Sequence, residues 1–225
     1  MEDYLSEKEQ WEWVKAQIRE NGPAVILAIV IAMAAVFGWR WWQGHQDVAR
    51  LQAGAKYMQM VSALERDDRS QALVLLGELE RDYARSPYTD QARLLAARVY
   101  VDGGELDKAS SELTEVAEHS KDQDLARVAR LRLARLEISQ GKPDSAVATL
   151  GDAGGAGAFA ARYHEVLGDA YFAKGDRAAA LKEYRAAQAA GAGGDGELLG
   201  LKVADLAADQ PAAATAVKPV PAPAK

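Results

Sequence analysis

The chain has 225 residues, no cysteine and a formal net charge of −6. Without cysteine there is no disulfide framework, lipid-modified Cys anchor or thiolate metal site, and the negative balance disfavours nucleic acid, which rewards basic surfaces. Abundant Ala, few aromatics and the absence of period-two alternation point to packed helices, with enough chain for one domain with a core.

Residues 1–20 carry three basic and six acidic side chains. Ser6-Glu7-Lys8-Glu9 has the spacing of a capping box, and Trp11, Val14 and Ile18 would share one face of the helix it starts. This stretch reads as a short amphipathic tail, with Asn21-Gly22-Pro23 permitting a break after it. From Asn21 to Trp39 there are 19 residues without a charge. At ~1.5 Å per residue they make roughly 28 Å of helix, close to the ~30 Å hydrocarbon core of a bilayer. Trp39, Trp41 and Trp42 mark the exit as an interfacial aromatic belt, with Arg40 reaching the headgroups. Residues 21–42 therefore read as a transmembrane anchor. Ala32-Met33-Ala34 has the form of a signal-cleavage site, but an acidic leading region has the wrong sign for a cleaved signal. Ala24, Ala28 and Ala32, four apart, form a small-residue face that another membrane helix could approach. Charge leaves the orientation open, because basic residues flank the anchor evenly.

From residue 43 the sequence echoes itself. His164-x-x-Leu167-Gly168-x-x-Tyr171, then Ala180-x-x-x-Tyr184, follows the tetratricopeptide (TPR) pattern, with His at the Trp position and Gly175-Asp176 as the turn. Weaker copies have turns at Asp67, Gly104 and Gly141. Their key alanines, Ala72, Ala109, Ala146 and Ala180, are separated by 37, 37 and 34 residues. Gly168 and Ala180 are small because paired helices should cross closely there. The fold class is all-α: an N-terminal transmembrane helix, then a TPR-like solenoid of about four helix-turn-helix units over residues 43–208. Residues 197–208 form a capping helix. The Gly-rich stretches at 151–158 and 191–196 read as loops, since neither has the Lys-Ser/Thr of a phosphate cradle. The Pro/Ala tail, 209–225, cannot build a core and is expected to be disordered.

Several of these segments resemble a known family, the ancillary SecYEG translocon subunits of the YfgM type. They are Glu20-Asn21-Gly22, Gly38-Trp39-Arg40, Trp42, His45-Gln46, Leu131-Arg132-Leu133-Ala134-Arg135 and Lys174-Gly175-Asp176. The resemblance implies a single-pass protein of the bacterial inner membrane, with a cytoplasmic N-terminus and a periplasmic TPR domain. It also implies association with the SecYEG translocon, a periplasmic membrane-anchored foldase and exported client proteins, in a chaperone-like role. The Pro/Ala tail departs from the family pattern.

No catalytic constellation is present. His45, His119 and His164 are scattered, with His164 at a packing position, and the carboxylates, such as Glu112/Glu115 and Asp122/Asp124, read as solvated helix faces. No cofactor or metal site is expected, and the chain reads as a non-enzyme. Besides the translocon adaptor that the resemblance implies, a TPR solenoid also suits a regulatory envelope-stress module that sequesters a signalling protein, or an assembly factor for another envelope complex. In a TPR solenoid the first helix of each unit lines the concave surface. Registering the units on Ala97, Ala134 and Gly168 puts Leu94, Arg98 and Val101 there, then Leu131, Arg135 and Ile138, then Glu165, Asp169 and Phe172. This expected client groove would bury apolar side chains of an extended segment and meet its carboxylates or carbonyls with two arginines.

Overall fold

The computed structural model describes residues 7–151, 155–191 and 196–208; within the first helix it describes the side chains of 11, 12, 15, 22, 24, 26–41 and 48 onward. Ser6 of the expected capping box, Val14 and Ile18 of the tail's apolar face, Trp42 and the Pro/Ala tail lie outside that description. The described elements are nine α-helices and a 3₁₀ turn, Gly157–Phe159. The helices are α1 (Glu7–Glu65), α2 (Arg69–Tyr83), α3 (Pro87–Asp102), α4 (Leu106–His119), α5 (Gln123–Ser139), α6 (Pro143–Leu150), α7 (Ala160–Ala173), α8 (Arg177–Ala189) and α9 (Gly196–Ala208).

The chain divides into two units, Met1–Ala55 and Lys56–Lys225. In the first, α1 is unbroken through Asn21-Gly22-Pro23, which corrects the expected break. Proline disfavours helix in the residue before it through that residue's Cβ, and Gly22 has none. Ile26, Leu27, Ile29, Val30, Ile31, Val36 and Phe37 are all exposed, as are Ala24, Ala28, Ala32, Trp39, Arg40 and Trp41. Among the described residues no helix is long and apolar enough to cross a membrane, so the expected transmembrane helix is not part of the described fold.

In the second unit the helices pair as hairpins: α3/α4, α5/α6 and α7/α8, with α9 against α8, and the end of α1 is tied to α2 by the Lys56–Glu78 ion pair. The four turns are copies of one another. At each, one residue takes a left-handed φ: Asp67 at 59°, Gly104 at 75°, Gly141 at 73° and Gly175 at 81°. The next residue's N–H reaches back five positions: Asp68 to Ala63 O (2.9 Å), Glu105 to Tyr100 O (2.8 Å), Lys142 to Glu137 O (2.8 Å) and Asp176 to Tyr171 O (2.9 Å). This is the Schellman closure, which consumes carbonyls that a helix end leaves unpaired. Asp68 and Asp176 then cap the next helix, each accepting at 3.0 Å from a backbone N–H three residues on.

With the turn fixed, two positions decide how closely each hairpin closes: the residue seven before the left-handed one and the residue nine after it. They are Met60/Leu76, Ala97/Leu113, Ala134/Leu150 and Gly168/Tyr184, and all the side chains among them are buried. In the last hairpin a Cβ on Gly168 would lie 2.4 Å from two atoms of the Tyr184 ring. The larger Tyr184 is accommodated only because residue 168 has no side chain. We expect Gly168→Ala to destabilise the solenoid by about 1–3 kcal/mol, measured by urea unfolding. Adding Tyr184→Leu, which recreates the Ala/Leu pair of the two middle hairpins, should recover part of the loss.

Charged groups link the hairpins further. Arg93 Nη1 donates to Glu112 Oε2 at 2.8 Å across its own hairpin and lies 2.8 Å from Glu80 Oε1 of the preceding one. Glu112 is thus not on a solvated face, as the sequence suggested. The equivalent pair in the last hairpin is His164 Nδ1 and Glu183 Oε2, 2.7 Å apart. Burial pushes the Glu112 carboxyl up, and the Arg93 charge opposes the shift. A carboxyl raised above its unfolded value favours the fold when protonated, at low pH, and that advantage is lost as pH rises through the folded pKa. Arg93→Met removes the opposing charge and leaves two carboxylates facing each other, so the Glu112 pKa should rise further. The variant's deficit relative to the parent, roughly 1–3 kcal/mol for unpaired charged partners, should therefore be largest at pH 7. It should shrink as the pH is lowered toward 5, as followed by unfolding at several pH values.

Candidate protein-binding groove

The first helices of successive hairpins, α3, α5 and α7, lie side by side, and the seams between them are closed differently. Between α5 and α7 the seam is filled by Leu131, Ala134, Tyr163, Val166, Leu167 and Ala170, with Ile138 packed against them. Between α7 and α9 it is bridged by polar groups. Lys202 Nζ of α9 lies 2.7 Å from Asp169 Oδ1 and 3.5 Å from Glu165 Oε1, and Arg162 lies 3.4 Å from Glu165 Oε2. Tyr184 donates to Asp169 Oδ1 at 2.7 Å. Burial and the Asp169 carboxylate push the Tyr184 phenol well above its usual range. Glu165 is only 7% exposed, and this clasp supplies its partners.

Between α3 and α5 the seam stays open. Contact between these helices is much sparser than between α5 and α7, and a groove of about 500 Å³ separates them. Leu94, Leu95, Ala97, Val101, Leu113 and Leu136 form its apolar floor, and Arg98, Arg132, Arg135 and Ser139 its edge. The reason lies in one substitution between repeats. Nine residues before its turn α7 places Val166, fully buried, whereas α5 places Arg132 at the equivalent position, exposed. A guanidinium cannot be sealed into an aliphatic seam without losing its water. Arg132 instead donates to the Leu94 carbonyl at 3.2 Å and stays at the rim. Arg98 lies 3.9 Å from Asp102. Three cations over an apolar trough can hold an extended segment with apolar side chains on one side and carboxylate or carbonyl oxygens on the other.

Residues 15–208 match the tetratricopeptide repeat-like domain family. The chain is 31% identical over 186 residues to the ancillary SecYEG translocon subunit of Escherichia coli K12, covering 83% of this chain and 89% of that one. It belongs to that translocon-subunit family. The subunit of the same name from Haemophilus influenzae is 27% identical over 90% of this chain and 98% of its own length. Among solved structures, MamA from residue 41 onward, from Desulfovibrio magneticus RS-1, superposes with a TM-score of 0.51 at 14% identity. That likeness covers 69% of this chain and 93% of the solved chain, and concerns the fold alone.

In this translocon-subunit family member, the residues registered from the sequence are one flank of three helices, not one surface. Leu94, Arg98, Val101 and Arg135 come together at the α3/α5 groove. Leu131 and Ile138 belong to the next seam, packed against α7. Glu165 and Asp169 lie under Lys202 of α9, and the Phe172 ring sits 5.6 Å from the Arg177 guanidinium. A groove between two parallel helices has opposite flanks of them as its walls, so equal register on both selects one wall and misses the other. The missed wall is Arg132, Leu136 and Ser139, with Leu113 of α4 as part of the floor. Offsetting the second helix by one residue from Leu131, Arg135 and Ile138 would have found it.

Proposed function

We propose that this chain is a membrane-anchored TPR accessory subunit of the Sec translocon that binds extended protein segments in the α3/α5 groove. Residues 1–20 are read as the cytoplasmic tail, 21–42 as the inner-membrane anchor, 43–208 as the periplasmic domain and 209–225 as a Pro/Ala extension. The observation that carries the reading is the extent of the family match. It begins at residue 15, ahead of the apolar run, and continues to residue 208, so the apolar run and the repeats fall within one family domain. The groove supplies the chemistry, with three arginines gathered over apolar side chains in a chain of net charge −6.

The membrane reading rests on Ile26 to Phe37. A helix apolar on all sides and exposed on all sides is unstable in water and needs lipid around it. With the groove facing the periplasm, its occupants are exported clients or the folding factors that receive them, and the role is chaperone-like holding. Binding rather than catalysis is also the reading for Glu165 and Asp169, whose carboxylates are taken up by Lys202.

Photocrosslinkers placed at Leu95 and Ser139 in intact cells test the groove. Arg98→Ala combined with Arg135→Ala should reduce adducts with exported or translocon proteins several-fold, at unchanged thermal stability, because neither change removes a core aliphatic. Parent-like adducts in the double variant would remove the groove from consideration; adducts with a soluble regulator alone would replace the translocon reading with a sequestering one. Topology is tested separately. Protease added to spheroplasts should digest residues after about Gln43 and leave the anchor embedded, whereas full protection of the C-terminal domain would overturn the orientation.

A further inference from the structure

Beyond the apolar run, α1 carries an apolar stripe that neither lipid nor solenoid packing accounts for. Val48, Leu51 and Ala55 are spaced three and four apart, so they share one face of the helix. Val48 is 53% exposed and Leu51 75%; Ala55 is exposed as well. The buried residue of this stretch, Ala53, projects from the far side, about 200° round the helix from Leu51. The stripe is therefore additional to the surface that the fold itself buries. Lipid is too far away to cover it. Leu51 lies nine residues beyond Trp42, roughly 13 Å along the axis, whereas the headgroup layer outside the hydrocarbon is only about 5–8 Å deep on each side.

Val48, Leu51 and Ala55 fill consecutive a, d and a positions of a heptad. Counting back at the same spacing passes through Gly44 before it reaches Trp41 and Phe37, so the stripe keeps the register of the apolar run with one position between them that carries no side chain. The flanking g and e places are Asp47, Gln52 and Gly54, and in a parallel pair the one charged residue among them, Asp47, would face Gln52 of the other copy. A second copy of the same helix could therefore lie alongside without like-charge repulsion.

We infer that the stripe is the seam of a parallel self-association: two copies of this chain pair through Val48, Leu51 and Ala55 just outside the membrane. The inference rests on the anchor reading above. Three residues per copy fall well short of the roughly 800 Å² per partner of a stable interface, so the seam would not hold two free molecules together. Anchoring in one bilayer supplies what is missing, since it makes the helices parallel, sets both stripes at the same height and raises their effective concentration. A second copy is favoured over an unrelated helix because shared anchoring puts identical residues in register with no further requirement.

The natural chain has no cysteine, so single Cys variants of the full-length protein report on this directly in native membranes treated with copper phenanthroline. Val48→Cys, Leu51→Cys and Ala55→Cys should each give a disulfide-linked dimer, at roughly ten times the yield of Arg50→Cys on the adjoining side, because the bond needs Cα atoms within ~7 Å. Adding Leu51→Lys to Ala55→Cys should abolish that dimer and leave the protein's thermal transition unchanged. Equal yields at all four positions, no dimer at any of them, or an adduct of a mass other than two copies would overturn the inference. Carbonate extraction of the same membranes separates the two readings. Protein released into the soluble fraction contradicts the anchor, whereas protein retained in the membrane without position-dependent crosslinking contradicts the seam.

Discussion

The solenoid depends on how closely two helices can approach once a left-handed turn has set their direction. The turn is invariant across the four hairpins, with the same five-residue hydrogen bond and the same sign of φ, even where Asp67 has to adopt it. A fixed turn leaves side-chain volume at the crossing as the free variable. Ala97 with Leu113 and Ala134 with Leu150 solve it one way; Gly168 with Tyr184 solves it another. The second solution has consequences beyond its own hairpin. Tyr184 carries a hydroxyl that Leu150 lacks, and that hydroxyl donates to Asp169, which also receives Lys202 from α9. The change from Ala to Gly at one crossing thereby admits the polar group that helps to attach the terminal helix.

The seams between hairpins follow from the same economy of volume and charge. An aliphatic flank on both sides closes a seam, as between α5 and α7. Acidic residues on one flank require a cation from the other, as between α7 and α9. A flank bearing arginine against leucine satisfies neither condition, and the α3/α5 seam stays open. The groove is thus a place where inter-repeat packing is incomplete, with the arginines that keep it open also supplying its polar contacts. Stability elsewhere has to make up for it, and Arg93, tying α2, α3 and α4 together through Glu80 and Glu112, sits immediately beside Leu94 of the groove floor.

Much of this was legible in the sequence because a repeat constrains the same positions several times. The alanine period of 37, 37 and 34 residues fixed the hairpins, and the turns at Asp67, Gly104, Gly141 and Gly175 carry the left-handed residues. Gly168 was recognisable as a crossing residue by its register with Ala97 and Ala134. Less legible was anything requiring two helices to be compared in space. Glu112 read as solvated because its partner Arg93 is on another helix, 19 residues away. Arg132 was passed over because repeat register describes how helices resemble each other, whereas a groove depends on how their unlike sides face. The continuity of α1 through Pro23 was hidden for a local reason, since proline usually marks a boundary and only the Gly22 before it relaxes that rule.

Placing cations at the groove of an acidic chain also affects how a segment would arrive there. With 33 acidic against 27 basic residues, the molecule as a whole repels acidic chains. A cluster of Arg98, Arg132 and Arg135 reverses that sign locally, but only within a Debye length of about 8 Å at physiological ionic strength. Long-range attraction is therefore small, and capture depends on short-range contact, where guanidinium groups can pair bidentately and the trough can bury apolar side chains. Such a surface is better suited to brief holding of many extended segments than to tight selection of one. Rim cations exposed to water contribute modestly to affinity, while burial in the trough is sequence-tolerant because it rewards area more than identity. Weak and tolerant binding at an incompletely closed seam is the mode that this arrangement of residues favours.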